Sequence, residues 1–238
     1  MIPIITYTNS KCKDIWPIYI DHMEKYYGNY HHTIMVDYPC ELPMRNISYF
    51  LYNQSDPFYD GWVRLLSNYP SKFFLYMQED FIPYAPVNKS TLLLCLQLMN
   101  KTDSISCIRL SKSGINSNIP VEHSFNLHYV NYHTDYAFSM QPTIWRTKDF
   151  LKLQETKIQI SPWDENKLNG NVLIKLDLVS LYHYNNEPKR GMAHYDSDVF
   201  PYIATALVKG KWNTKEYPML ATILDQYGIN KTIRGEYE

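Results

Sequence analysis

Along the first half of the chain, short apolar runs closed by polar breaks alternate with segments whose apolar residues recur at helical spacing. Ile2 to Tyr7 is a β-branched run that reads as a first strand, and Thr8-Asn9-Ser10 supplies the turn chemistry expected after it. Trp16, Ile20, Met23 and Tyr27 then fall on one helical face, with Pro17 in the first turn and Gly28 as the stop. His32 to Val36 reads as a second strand closed by Asp37, and Asn46 to Tyr52 as a third. Asp56-Pro57 predicts a helix start with Asp56 as cap, and Trp62, Leu65, Leu66 and Tyr69 give its apolar face. Tyr59, Asp60 and Arg64 fall off that face, toward solvent or a ligand edge.

The stretch Lys72 to Phe81 organises the rest. A mostly apolar run predicts a strand buried on both faces, and Glu79 and Asp80 follow where it should run out. Beyond it, Pro83 and Pro86 mark a loop, Asn88 caps a Leu-rich helix ending near Lys101, and Cys107 to Leu110 is another short strand. Ser111 to Pro120 reads as an irregular loop, and Phe125 to Val130 and Tyr136 to Met140 as further strands. Ser139 to Leu151 looks too polar for a strand interior, with Thr147 as the cap of the next helix; Ser161-Pro162 should open another helical turn, displaying Trp163 beside Asp164 and Glu165. Strands interleaved with helices predict an α/β fold with a mixed central sheet flanked by helices, in one domain spanning 1–238.

Composition narrows the function. A net charge of −1 leaves no basic footprint for nucleic acid. Four cysteines, Cys12, Cys40, Cys95 and Cys107, form no CxxC pair and read as reduced thiols of a cytoplasmic protein. The Leu92 to Leu96 run is too short to span a bilayer, and the N-terminus lacks a basic leader. Aromatic residues make up 15% of the chain, including 22 Tyr, a composition suited to sugar and nucleobase surfaces.

In an open α/β sheet ligands bind outside the carboxyl ends of the strands, which is where Glu79 and Asp80 are expected. Hard carboxylate oxygens there suit Mn²⁺ or Mg²⁺ carrying a phosphate-bearing substrate. An acid after the second strand, Asp37, reads either as a contact to a ribose or base or as a turn residue before Pro39. No GxGxxG follows the first strand, which argues against a dinucleotide.

Five stretches in this order resemble small glycosyltransferases of the GT-A fold, of the kind found in bacterial surface-polysaccharide clusters and in large DNA viruses, including the chloroviruses. They are Tyr7-Thr8-Asn9-Ser10 after an opening strand, Phe74-Leu75-Tyr76-Met77-Gln78-Glu79-Asp80, Ser139-Met140-Gln141-Pro142-Thr143-Ile144-Trp145-Arg146, Ser161-Pro162-Trp163-Asp164-Glu165, and Val208-Lys209-Gly210-Lys211-Trp212. The resemblance implies a nucleotide-sugar donor, UDP-linked in the first instance, lying against Thr6, Tyr7, Thr8 and Asn9, with Asp37, Arg64 and Glu79 around it. It makes the acid pair the counterpart of a metal-binding DxD, although Gln78-Glu79-Asp80 stands in place of Asp-x-Asp, so that Asp80 would carry most of the cation. A late histidine, His183, is a candidate third ligand beside Asp80 and Glu79. The partner implied is a glycan or glycoprotein acceptor, reached in the cytoplasm, or in a host cytoplasm were the source viral.

If configuration inverts, a base is needed for the acceptor hydroxyl, and Asp164 or Glu165 is the candidate, Glu165 having the longer reach. Two other readings compete: a carbohydrate-binding or catalytically inactive protein of the same shape, and a sugar nucleotidyltransferase. The second is disfavoured because its Gly-rich phosphate loop is missing from a chain with only 8 Gly.

Overall fold

A computed structural model describes residues 2–28, 30–38, 47–115, 118–133, 136–158, 170–191 and 193–237. The N-terminal strands are β1 (Ile4–Tyr7), β2 (His32–Val36), β3 (Ile47–Leu51) and β4 (Phe73–Gln78), interleaved with α1 (Trp16–Tyr26) and α2 (Phe58–Leu66). Next come β5 (Ile82–Pro83), α3 (Lys89–Lys101), β6 (Ile105–Arg109), β7 (Ile119–Pro120), β8 (Leu127–Tyr129), β9 (Thr143–Arg146), α4 (Thr147–Gln154), α5 (Gly170–Lys175) and β10 (Val179–His183). Nine strands form one mixed sheet in the order β3-β2-β1-β4-β9-β6-β10-β8-β7.

Pairing sets the polarity of that sheet. β1, β2, β3 and β4 are mutually parallel, and β6 and β10 are parallel to each other. Because β9 runs antiparallel to both β4 and β6, all six of those strands end on one edge. Glu79-Asp80, Asp37, Thr8 and the residues after His183 therefore emerge along a common rim, where an open α/β sheet binds ligands.

The alternation of side chains along β1 explains how helices cover both faces. Thr6 meets Tyr19 of α1, while Tyr7 on the opposite face meets Phe58 and Trp62 of α2. Trp62 is the centre of an aromatic cluster with Phe74, Tyr76 and Phe150, whose rings approach it at 5.0–6.1 Å, largely edge-on or tilted. α1 ends as expected: Gly28 takes φ 92°, a left-handed turn open to glycine, and its amide donates to the Met23 carbonyl.

Several expectations are corrected. Tyr136 to Met140 is not a strand. The strand is β9, in the stretch read as too polar for one, and it sits at the middle of the sheet. Its polar residues are satisfied internally: the guanidinium of Arg146, fully buried, donates to the carbonyls of Met99, Thr102 and Ile105 and pairs with Asp103 and Asp149. Thr147 does not cap α4; its hydroxyl donates to the Ser71 carbonyl at 2.7 Å, fastening α4 to the start of β4. Asp56 likewise makes no cap bond to α2, whose first turn is entered through Pro57. Asn88 does cap α3, accepting from the Thr91 amide. At the start of the Ser111 to Pro120 segment, which reads as an irregular loop, Ser111, Lys112 and Ser113 are buried.

Candidate active site

The acid pair is presented by a tight turn. The Phe81 amide donates to the Gln78 carbonyl, so Glu79 and Asp80 are the two central residues of a reversal at the end of β4. The Asp80 carbonyl accepts from Ala206, which fixes the turn to the late segment of the chain. Both side chains are almost wholly shielded, at 4% and 5% exposure, yet both line a cavity of about 700 Å³ at the rim of the sheet.

Around the acids the cavity has two characters. Tyr52, Phe58 and Met35 form an apolar wall, with Tyr7 stacked on Tyr52 at 5.1 Å between ring centres. Asn9, Lys11, Asp56, Lys209 and Arg234 supply polar lining. Asn9 also accepts from the Lys11 amide, capping the short 3-10 turn Ser10–Cys12 that carries Lys11 and Cys12 to the cavity.

Burial dominates the electrostatics. It pushes the Glu79 carboxyl up to about 7, against hydrogen bonds from the Cys12 thiol and the Thr8 hydroxyl and against the charge of Arg234. Burial, with the neighbouring Glu79 carboxylate, raises the Cys12 thiol far above its ordinary range, so it stays a proton donor and not a nucleophile. Glu79 is thus held by donors on the turn after β1, with a carboxyl harder to ionise than an exposed one. The phenol of Tyr52 is also pushed up by burial, and it donates to the Thr8 carbonyl.

The sequence-predicted residues separate into those that meet here and those that do not. Tyr7, Asn9, Glu79 and Asp80 line the cavity together. Thr8 stands behind it, accepting from Trp16 Nε1. Thr6 faces the core on the other side of the sheet, bonded to Tyr19 and His32 at 2.7 Å each. Asp37 is at the rim but is occupied, accepting from the amide and hydroxyl of Ser10 and from Gln54. Arg64 is exposed, 3.9 Å from Asp56 and over the ring of Phe50, outside the lining. His183 lies three strand positions from β4, roughly 14 Å away at the ordinary strand spacing, and contacts Asp198 instead of the acid pair. Asp164 and Glu165 lie outside the described residues.

Three cationic residues at the cavity, Lys11, Lys209 and Arg234, were given no place in the site from sequence. Lys209-Gly210 is the two-residue turn of a hairpin between Leu207–Val208 and Lys211–Trp212, both turn residues having positive φ, 51° and 78°. That hairpin aims Lys209 at the cavity, while Lys211 is exposed and does not line it. The Val-Lys-Gly-Lys-Trp pattern is a legible hairpin signal, but not a signal of what its tip covers. Arg234 arrives from the far end of the chain and clasps Asp14 with Nε and a terminal nitrogen, while also donating to the carbonyls of Lys11 and Gly210. No local pattern marks it.

A divalent cation fits this donor set. Two shielded carboxylates on consecutive residues face an open cavity, and Mg²⁺ or Mn²⁺ is commonly held by one or two carboxylates with phosphate oxygens and water completing the shell.

No protein-family model and no curated protein sequence matches this chain. Among solved structures it is similar to residues 1–349 of TarS from S. aureus, at 14% identity, with 98% of this chain and 68% of that one covered and a TM-score of 0.51. It is also similar to a CMP:2-keto-3-deoxy-manno-octonic acid synthetase complexed with CTP, at 10% identity, covering 95% of this chain and all of that one with a TM-score of 0.50. The fold is the GT-A-like one shared by nucleotide-diphospho-sugar transferases, including glycosyltransferases and sugar nucleotidyltransferases. Among the described residues no helix is long and apolar enough to cross a membrane.

Proposed function

We propose that the protein is a glycosyltransferase that moves a sugar from a nucleoside-diphosphate donor, UDP-linked in the first instance, to a glycan or glycoprotein acceptor. The observation that carries this reading is the cavity itself. An acid pair at the end of β4 shares its lining with Lys11, Lys209 and Arg234, beside an aromatic wall, in a volume sized for a nucleotide sugar.

The division of labour follows from the chemistry. Tyr52 and Phe58 offer apolar area to a nucleobase, and Asn9 offers an amide to a ribose or base edge. When the glycosidic bond breaks, negative charge grows on the departing diphosphate, and Lys11 and Lys209, which line the cavity, would neutralise it. Asp80, with Glu79, would hold a Mn²⁺ or Mg²⁺ ion, whose role when bound is to screen the two phosphates. Glu79 orients the turn after β1 through Thr8 and Cys12, keeping Lys11 in register with the acids. Asp164 and Glu165 remain the proposed bases for the acceptor hydroxyl.

The test is a panel of nucleotide sugars with Mn²⁺ or Mg²⁺, read by released nucleotide, together with thermal shifts by nucleoside diphosphates. We expect one donor to release its nucleotide, that nucleotide to raise the melting temperature, and Asp80→Asn to keep the fold while losing at least ~10²-fold in turnover. Because the fold is shared with a CTP-using synthetase, a second incubation supplies a nucleoside triphosphate with a sugar phosphate or free acidic sugar. Pyrophosphate appearing there, with no release from any donor, would replace the reading by a nucleotidyltransferase. Glycan binding with neither reaction would replace it by a binding protein.

A further inference from the structure

On the same rim of the sheet, three strands away from the acid pair, β10 ends in His183. The loop that follows turns at Asn186, φ 61°, and brings Glu187 back toward it, while Asp198 approaches from the segment leading to Val199. One ligand atom from each of His183, Glu187 and Asp198 lies within 4.8 Å of the other two. Imidazole Nδ1 is 3.2 Å from Asp198 Oδ1.

Two carboxylates and an imidazole crowd together elsewhere in proteins as ordinary surface polar groups, so the decisive observation is the state of His183. The side chain is 96% buried, and its Nδ1, aimed into the cluster, faces Asp198 Oδ1 without the geometry of a hydrogen bond. A buried ring nitrogen without a hydrogen-bond partner is costly unless something else occupies its lone pair. The carboxylates are meanwhile held in place from outside. The amides of Asn185 and Asp198 donate to the two oxygens of Glu187, and the Asn185 side chain donates to Asp198 Oδ2. That bonding leaves Asp198 Oδ1 facing the imidazole, the arrangement in which ligands are oriented by neighbours that are not themselves ligands.

We propose that His183, Glu187 and Asp198 form a second divalent-metal centre, separate from the Glu79-Asp80 pair. One imidazole with two carboxylates suits the borderline Zn²⁺, and after it Mn²⁺, over Ca²⁺, whose ligands are oxygens. The bound ion joins the end of β10 to the segment from Val199 to Pro201, in which the Val199 and Pro201 carbonyls accept from the amides of Asn88 and Tyr84. Its role is to pin the wall on the far side of the rim, opposite the nucleotide cavity. The sequence reading had placed His183 on the acid pair's own ion; the geometry gives it different partners.

The experiment uses the full chain, stripped with a chelator and then equilibrated with Zn²⁺ or, separately, Mn²⁺ alone, with bound metal counted after gel filtration and the melting temperature recorded. Asp80→Asn protein should keep about one tightly bound ion per chain, and that ion should raise its melting temperature. Glu187→Gln and Asp198→Asn, made in the same Asp80→Asn background at partly exposed positions, should weaken that binding at least ~10-fold and lose the thermal shift. Unchanged stoichiometry and affinity in both variants, or no tight ion in the Asp80→Asn protein, would overturn the proposal. Because the readout is metal content and not turnover, failure here leaves the glycosyltransferase reading to its own test.

Discussion

The imidazole of His32 is enclosed by the N-terminal core. Its Nε2 shares a 2.7 Å hydrogen bond with the Thr6 hydroxyl, which also meets Tyr19, and its ring lies 5.3 Å from that of Tyr30. Burial lowers its pKa to about 3, with His31 adding to the effect. The folded state therefore holds this ring neutral, while the unfolded chain takes up a proton below about 6.5. Stability from this residue is fully present above pH ~6.5 and is lost as pH falls toward 3, by about 1.4 kcal/mol per pH unit in between. Urea unfolding of wild type and His32→Gln at pH 7, 5.5 and 4 should show the gap between them narrowing or reversing as the pH drops. A gap that stays constant across that range would mean the ring is not titrating. Chemistry of this kind was only partly legible: His32 reads as a strand residue from its neighbours, but nothing in His-Thr-Ile-Met-Val says that the ring is sealed. Thr6 was expected beside the donor and turns its side chain to the core for the same reason, since alternation along a strand buried on both faces does not say which face holds the ligand.

Among elements, those with strong local signals were read correctly and those stabilised from afar were not. Gly28 and Asn88 announce a helix end and a helix start through their own backbone chemistry. β9 carries no such signal. Its Arg146 is tolerable in a sheet interior only because three carbonyls from α3 and its exit converge on the guanidinium, and that convergence is a tertiary fact. Arg234 is the extreme case, being 220 residues from the Asp14 that it clasps. It ties the C-terminal 3-10 turn Lys231–Ile233 to the turn that carries Lys11, closing one side of the cavity. Arg234→Met should lower stability by roughly 1–2 kcal/mol, as expected for loss of a charge-assisted, partly buried pair, and should weaken nucleotide binding by more than the stability change explains. Calorimetric titration of the nucleotide beside thermal melts would separate the two, and undiminished affinity would reduce Arg234 to a structural clasp. At the Ser161 to Glu165 stretch the expectation is kinetic. If Glu165 is the base, Glu165→Gln should slow turnover ~10²–10⁴-fold with donor affinity retained, whereas Asp164→Asn should change it little; the reverse pattern would exchange their roles, and normal turnover in both would move the base elsewhere.

For the molecule as a whole, the mixed α/β sheet was legible because β1 to β4 are apolar runs divided by amphipathic helices, a pattern that leaves few topologies open. The polarity of the rim follows from it, and so does the placement of Glu79 and Asp80. What could not be read was the strand order across the centre, which joins β4 to β6 through a strand made long after both. That order has a consequence for biosynthesis. While the chain is being made, β4 emerges with one side unpaired and β6 with both, because β9 follows some seventy residues after the start of β4 and β10 is made later still. At ordinary elongation rates of about 5–20 residues per second, the interval is on the order of 4–15 s. For that time the nascent protein displays the open edge of the apolar β4, joined by both edges of β6, at what will become its centre, so the period of greatest exposure to aggregation, and of greatest dependence on chaperones, falls in mid-synthesis and begins to close when Thr143 to Arg146 slides into place.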